Sequence, residues 1–299
     1  MSVKDQVKKL IGFLGYEISH KIINTPNYIV RDSKTLIAGP FMGEFGWEVM
    51  QWQGYIRWLS KFYEKTIIHT RKSSSFLYDD FAHEVITIDS NSYNTSGYVL
   101  DGFDYDEWVS NVLRKTDADI LVADKRARLL KDYFHQDFRN IEKNQGRIKK
   151  RVLIHARKIP AFTNSIEKSL RNWPGDKWQQ LLEMMADYEV IAIGHEKQSI
   201  APTGAKDMRG VSSDITEDLM KSSSLIVGPS SGAIHLASLY GLPHVTWTSS
   251  KQDMKFGGGK FRYERSWNPH GTACIVIEND NWDPSAYDVL SAIQRLEKC

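Results

Sequence analysis

Residues 222–245, SSSLIVGPSSGAIHLASLYGLPHV, leave this chain few choices of fold. Leu225, Ile226 and Val227 form a short apolar run that reads as a buried strand. Gly228 and Pro229 stop it. Ser230 or Ser231 then supplies an N-cap, and Gly232 allows a ligand to approach the backbone closely. The helix that follows ends at Gly241-Leu242-Pro243, where a second strand begins. Strand, tight turn, helix and strand in that order describe one unit of a parallel sheet. A helix that starts straight after a strand presents N–H groups without intrahelical partners and a partial positive charge, which suits phosphate. His235 lies at i+4 from Ser231, so the two are expected to share a face. An ordinary βαβ unit with a buried histidine carries the same pattern, so the segment alone does not fix a function.

The rest of the chain repeats this alternation. Thr35–Gly39 reads as a strand running into the glycine-rich loop 39–46, followed by a helix from Trp47 to about Tyr63. Thr66–Thr70, Glu84–Ile88 and Asp119–Ala123 read as further strands. Residues 135–150 are polar, carry His135, Arg139, Lys143, Arg147, Lys149 and Lys150, and read as a linker. A new strand opens at Arg151–His155. It is followed by a helix at 175–187, a strand at Glu189–Ile193, a helix near 214–222 and the segment described above. Apolar strands without alternation, separated by helices, mean parallel sheets covered on both faces. The expectation is an α/β chain of two Rossmann-like, doubly wound domains: residues 1–145, residues 146–280, and a last helix, 281–299, returning toward the first domain. In such sheets ligands bind beyond the carboxyl ends of the strands.

Composition excludes several classes. The 39 basic and 37 acidic residues nearly cancel, so bulk nucleic-acid binding is not indicated. Cys274 and Cys299 provide neither a disulfide framework nor zinc-ligand spacing, so a reducing, cytoplasmic compartment is expected. No run of about 18 apolar residues occurs, and residues 1–22 do not read as a signal peptide. Val3, Val7, Leu10, Ile11, Leu14 and Ile18 do recur at helical spacing opposite Lys4, Lys8 and Lys9. Residues 3–18 therefore read either as a helix packed on the first domain or as a basic amphipathic helix touching an anionic membrane surface.

The run Gly228-Pro229-Ser230-Ser231-Gly232, then His235-Leu236-Ala237 and Gly241-Leu242-Pro243, resembles the donor-binding signature of GT-B glycosyltransferases, especially the heptosyltransferase family (glycosyltransferase family 9). That family usually has Asp-Thr-Gly where this chain has Ser230-Ser231-Gly232. The resemblance spans roughly residues 35–60 and 151–245. It implies two domains facing across a cleft and an inverting transfer of a sugar from a nucleotide-sugar donor to an acceptor hydroxyl. It implies donor binding by Ser230, Ser231, Gly232 and His235, and backbone contacts from Gly194. Arg157, after the strand ending at His155, and Arg171, before Trp173-Pro174, would hold the diphosphate, for which the guanidinium fork is suited. His155-x-Arg157 also resembles the phosphate-binding motif of GT-B fucosyltransferases, so the donor base stays open.

On the acceptor side, Gly43-Glu44 stands where heptosyltransferases have Gly-Asp, and Glu44 would take the proton of the attacking hydroxyl, with Glu48 the second candidate. Either acid could instead merely complement a helix N-terminus. No two glutamates lie eight positions apart, so the Glu-x7-Glu pair of many retaining GT-B enzymes is missing. With arginines and a helix dipole on the phosphates, neither a metal nor a cofactor is expected. Asp104-Tyr105-Asp106 and Asp117-Ala118-Asp119 match the Asp-x-Asp metal motif of another glycosyltransferase fold, but such triplets are common by chance. Asp214, with Glu217 three residues on, resembles a capping box. Residues 256–263 read as a basic loop in which Phe261 and Tyr263 could stack on a ligand. The acceptor is left open among a lipid-linked saccharide, a protein and a nucleic-acid base. A sugar-nucleotide epimerase and a nucleotide-sugar-binding pseudoenzyme are the alternative functions.

Overall fold

The computed structural model describes residues 28–88, 103–123, 136–139, 146–159, 171–251 and 259–298. The proposed helix at 3–18 and the part of the basic loop before Gly259 lie outside the described residues. The chain divides into two compact units, Met1–Phe138 and Arg139–Cys299, seven residues earlier than the boundary read from composition.

The first unit holds a sheet with strand order β1-β5-β2-β3-β4. Its strands are β1 (Tyr28–Ile29), β2 (Thr35–Gly39), β3 (Lys65–Arg71), β4 (Glu84–Ile88) and β5 (Asp119–Val122). All pairings are parallel except that of β1, a short edge strand the sequence did not announce. One continuous helix, α1, follows the loop after β2. It runs through an α-helical turn, Phe45–Trp47, a π-helical stretch, Glu48–Trp52, and a second α-helical stretch, Gln53–Ser60. Helix α2 (Tyr105–Leu113) covers the opposite face, packing Val112, Val109 and Trp108 over Ile37, Ile67, Ile120 and Val122. Both Asp-x-Asp triplets are absorbed by the fold. Asp104 caps α2 by accepting from the Glu107 N–H at 2.8 Å. Asp119 is buried and accepts from the N–H groups of Arg31 (2.7 Å) and Ser33 (3.1 Å) and from the Tyr63 hydroxyl (2.7 Å).

The second unit is an all-parallel sheet in the order β11-β10-β9-β6-β7-β8. The strands are β6 (Ile148–Ile154), β7 (Glu189–Ala192), β8 (Lys206–Asp207), β9 (Ser223–Pro229), β10 (His244–Thr248) and β11 (Cys274–Glu278). Counted from β6, this is the doubly wound order 3-2-1-4-5-6, with its topological switch point between β6 and β9. The helices are α3 (Gly175–Met184), α4 (Ser213–Ser222), α5 (Gly232–Leu239), α6 (Gly259–Ser266) and α7 (Ala286–Leu296). Helix α7 opens with a capping box between Ser285 and Asp288. Its buried face, Val289, Ala292, Ile293 and Leu296, packs in the core of this second unit with Leu181, Leu182 and the Trp173, Trp178, Trp247 cluster.

Three local readings are corrected. Helix α4 starts after Ser212, so Asp214 lies in its first turn rather than capping it. Residues 259–263, part of the segment 256–263 read as loop, belong to the helix Gly259–Ser266, and Tyr263 is buried at 1% exposure rather than presented for stacking. The end of the expected linker is a structural clasp. The Arg147 guanidinium donates to the carbonyls of Met220, Ser223, Tyr240 and Gly241 at 2.9–3.2 Å, satisfying chain-end carbonyls of α4 and α5.

Candidate functional site

In both units several of the residues singled out from the sequence lie just beyond the carboxyl ends of parallel strands. In the second unit, His155 follows β6, Gly194 follows β7, and Ser230, Ser231 and Gly232 follow β9. β6 and β9 flank the switch point, where a doubly wound sheet leaves a crevice.

The side chains there are tied to one another. Ser231 is the N-cap residue of α5, yet its hydroxyl makes no cap bond. It pairs instead with His155 Nδ1 at 2.8 Å. Ser230 Oγ pairs with His235 Nε2 at 3.1 Å, so His235 meets the first serine rather than the second. Arg171 Nη1 donates to the Ser230 carbonyl at 3.4 Å, and the guanidinium lies 5.8 Å from the Trp282 ring centre. With no side chain capping α5, its first turn of N–H groups faces the crevice ends of β6 and β9. Gly194 has φ +121°, and a Cβ there would stand 2.7 Å from His155 Cδ2. The left-handed glycine is thus what lets His155 lie beside Ser231.

Arg157 sits deeper than a phosphate ligand read from sequence would. It is 4% exposed, and its Nη1 donates to Asn172 Oδ1 at 2.8 Å. Asn172 also accepts from the Ile159 N–H (3.0 Å) and donates to the Ile159 carbonyl (2.8 Å), fastening the segment that carries Arg171 to the end of β6. Burial, with the Arg157 charge beside it, pushes the His155 imidazole down to about 4. Burial first, then Arg171, His244, Arg262 and His155, hold His235 well below the usual histidine range. Both rings are therefore neutral near pH 7, and every charged group acting on His235 is cationic. His235 also stacks on Trp267, ring centres 4.3 Å apart and planes at 23°, and Arg262 lies 5.3 Å from the Trp267 ring centre. Asn172 and Trp267 were not among the expected site residues, whereas His155 had entered only through the His155-x-Arg157 resemblance and Arg262 only as part of the basic loop 256–263.

In the first unit, Glu44 stands at the start of α1, after β2, and is half-buried. Its carbonyl accepts from the N–H groups of Trp47 (3.0 Å) and Glu48 (3.3 Å), while its carboxylate makes no cap bond. β2 and β5 are that sheet's switch-point pair, so the loop bearing Glu44 opens on the corresponding crevice. Glu48 is of a different kind. It is fully buried and accepts four hydrogen bonds: from Thr70 Oγ1 (2.9 Å), Arg71 Nη2 (2.7 Å), Ser74 Oγ (2.7 Å) and the Tyr78 hydroxyl (2.9 Å). Among the described residues no group of three or more His, Cys, Asp or Glu side chains is arranged to hold a metal ion. No helix among them is long and apolar enough to cross a membrane.

No protein-family model matches the chain, and no curated protein matches it in sequence. Solved structures do match in fold. A glycosyl transferase family 9 protein from Veillonella parvula DSM 2008 is 13% identical with a TM-score of 0.56, covering 88% of this chain and 96% of that one. The E. coli ADP-heptose lps heptosyltransferase II gives 14% identity and a TM-score of 0.55, covering 89% and 99%. The E. coli heptosyltransferase WaaC with ADP gives 11% and 0.54, covering 88% and 99%. At such identities the likeness is one of fold: the chain has the α/β fold of these GT-B glycosyltransferases, with a sheet of mainly parallel strands in each unit.

Proposed function

We propose that the chain is a glycosyltransferase that takes a sugar from a nucleoside-diphosphate donor and transfers it, with inversion, to an acceptor hydroxyl. The observation that carries this reading is the uncapped N-terminus of α5 at the switch point of the second unit, lined by Ser230, Ser231, Gly232 and Arg171. Helix N–H groups and a guanidinium together form a diphosphate site. None of the side chains assigned to this site, Ser230, Ser231, Arg171, His155 and His235, is a carboxylate that would oppose an anion. ADP in one solved structure of the same fold, and ADP-heptose in the name of another, favour a nucleotide-sugar donor.

In the reaction the acceptor oxygen attacks the anomeric carbon as its bond to the phosphate oxygen breaks. The hydroxyl proton passes to a base, and the diphosphate leaves with its charge met by Arg171 and the α5 N-terminus. We assign the base to Glu44. Glu48 is assigned an anchoring role, because its oxygens already accept four hydrogen bonds. Arg157 is assigned to shaping the crevice through Asn172. Cytoplasmic residence and contact of residues 3–18 with a membrane surface belong to the same proposal, since many acceptors of sugar transfer are lipid-linked.

The test is thermal-shift titration with nucleoside diphosphates and their sugar conjugates, repeated on Arg171→Ala. A site of this kind stabilises the protein by about 2–4 kcal/mol at saturating ligand. Stabilisation by one base series, lost in the variant, supports the reading. No stabilisation by any of them overturns it.

A further inference from the structure

Behind the donor helix lies a group of buried polar atoms that the proposed reaction does not use. His235 Nδ1, His244 Nε2 and the Tyr263 hydroxyl each lack a hydrogen-bond partner. Their residues are 5%, 0% and 1% exposed. They are also neighbours: the Tyr263 ring centre lies 5.9 Å from that of His235 and 5.7 Å from that of His244. An unsatisfied polar atom in a core is costly, so three of them on rings packed side by side indicate something that pairs with them.

The hydrogen positions follow from the partners that are present. His244 Nδ1 stands 3.0 Å from the Leu242 carbonyl, which can only accept, so Nδ1 carries the proton and Nε2 presents a lone pair. Tyr263 has a proton to donate. His235 Nε2 is already engaged with Ser230 Oγ.

We propose that His235, His244 and Tyr263 hold one buried water molecule that fixes the tautomer of His235 and, through it, the direction of the Ser230 hydroxyl. The water accepts from the Tyr263 hydroxyl and donates to His244 Nε2 and His235 Nδ1. Three polar partners are the usual complement of an internal water. With Nδ1 accepting, the His235 proton resides on Nε2 and is donated to Ser230 Oγ. The Ser230 proton is then free to point out of the protein interior, toward an anion at the α5 N-terminus. His235 and Tyr263 are thus positioning residues: the interior selects which way a surface hydroxyl donates. The stack of His235 on Trp267 holds the ring plane while the water holds its protonation pattern. The hydration site stands without the glycosyltransferase reading, whereas the use made of the Ser230 proton rests on it.

The first test needs no ligand. Long-range proton–nitrogen correlation on 15N-histidine-labelled full chain reads the ring nitrogens of His235 directly, and a high-resolution structure reads the solvent. Expected are a lone-pair-type Nδ1 and a protonated Nε2 in His235, with one water within hydrogen-bond distance of all three atoms. Tyr263→Phe, which keeps the ring, should shift His235 Nδ1 while leaving the fold intact. A His235 protonated on Nδ1, or a Tyr263 hydroxyl bonded directly to His244 with no solvent between the rings, overturns the proposal. If Tyr263→Phe fails to fold, the wild-type nitrogens still decide. The second test measures the affinity for the best-binding nucleoside diphosphate, which Tyr263→Phe should weaken about three- to tenfold, the worth of roughly one hydrogen bond. Unchanged affinity overturns the positioning role. Failure of wild type to bind any nucleotide counts against the donor site, while the ring nitrogens still decide the hydration site.

Discussion

Lowering the pH from about 7 to about 5 should destabilise the second unit, and His244 should account for a measurable share. This ring is fully buried at the start of β10, and its Nδ1–H is donated to the Leu242 carbonyl. Burial pushes its imidazole down to about 4 from the usual value of about 6.5. The folded chain therefore holds His244 neutral where the unfolded chain would take up a proton. Stability from this group is complete above pH 6.5 and is lost progressively as the pH falls from there toward 4. A gap of about 2.5 units at about 1.4 kcal/mol per unit is on the order of 3 kcal/mol, of which roughly 2 kcal/mol falls between pH 7 and 5. His155 acts in the same direction with less weight, because it is only half-buried. Urea unfolding at the two pH values, wild type against His244→Asn, isolates the share, since asparagine keeps a donor for Leu242 and cannot titrate. The variant should lose about 2 kcal/mol less than wild type on acidification. Equal losses would refute the reasoning.

Other perturbations have equally definite outcomes. Glu48→Gln should cost about 3–5 kcal/mol in chemical denaturation, because the Arg71 guanidinium, with its side chain 5% exposed, loses its buried partner. Arg147→Ala should lower stability by about 2–4 kcal/mol, since carbonyls of Met220, Ser223, Tyr240 and Gly241 lose a charged donor. Gly194→Ala forces a side chain into φ +121° and against His155. A loss of about 1–3 kcal/mol and separation of His155 from Ser231, visible in ring-nitrogen shifts, are expected. Glu44→Gln should reduce transfer by about 10²–10⁴-fold while nucleotide affinity stays unchanged; full activity would remove Glu44 as the base.

The legible parts of the chain were those in which local pattern and tertiary role agree. β9 and the helix after it could be read because the apolar run and the small residues follow one another directly, although Gly228 and Pro229, read as the stop, are still paired with β10 at the end of the strand. The pairing of His155 with Ser231 could not, since it spans 76 positions and exists only because β6 and β9 are sheet neighbours. Glu48 looked like Glu44 from sequence. What separates them is the end of β3 and the turn after it, which bring Thr70, Arg71, Ser74 and Tyr78 around one carboxylate only. Helix α6 was hidden by glycines and charges, and one buried face carrying Tyr263 is enough to hold it. Asp214 and Glu217 had the right spacing for a box, but the preceding Ser212 takes the cap position and shifts the register. Arg147 lay in a run whose charge suggested solvent, although its four carbonyl partners come from two helix ends far along the chain.

The central claim, that the crevice between β6 and β9 binds the donor diphosphate, is tested most directly by amide hydrogen exchange with and without the nucleotide sugar that binds best. Protection concentrated at residues 230–235 and 155–157, and abolished by Arg171→Ala, is the expected result. Bound nucleotide that leaves those amides unprotected, or protects a different strand end, would contradict it.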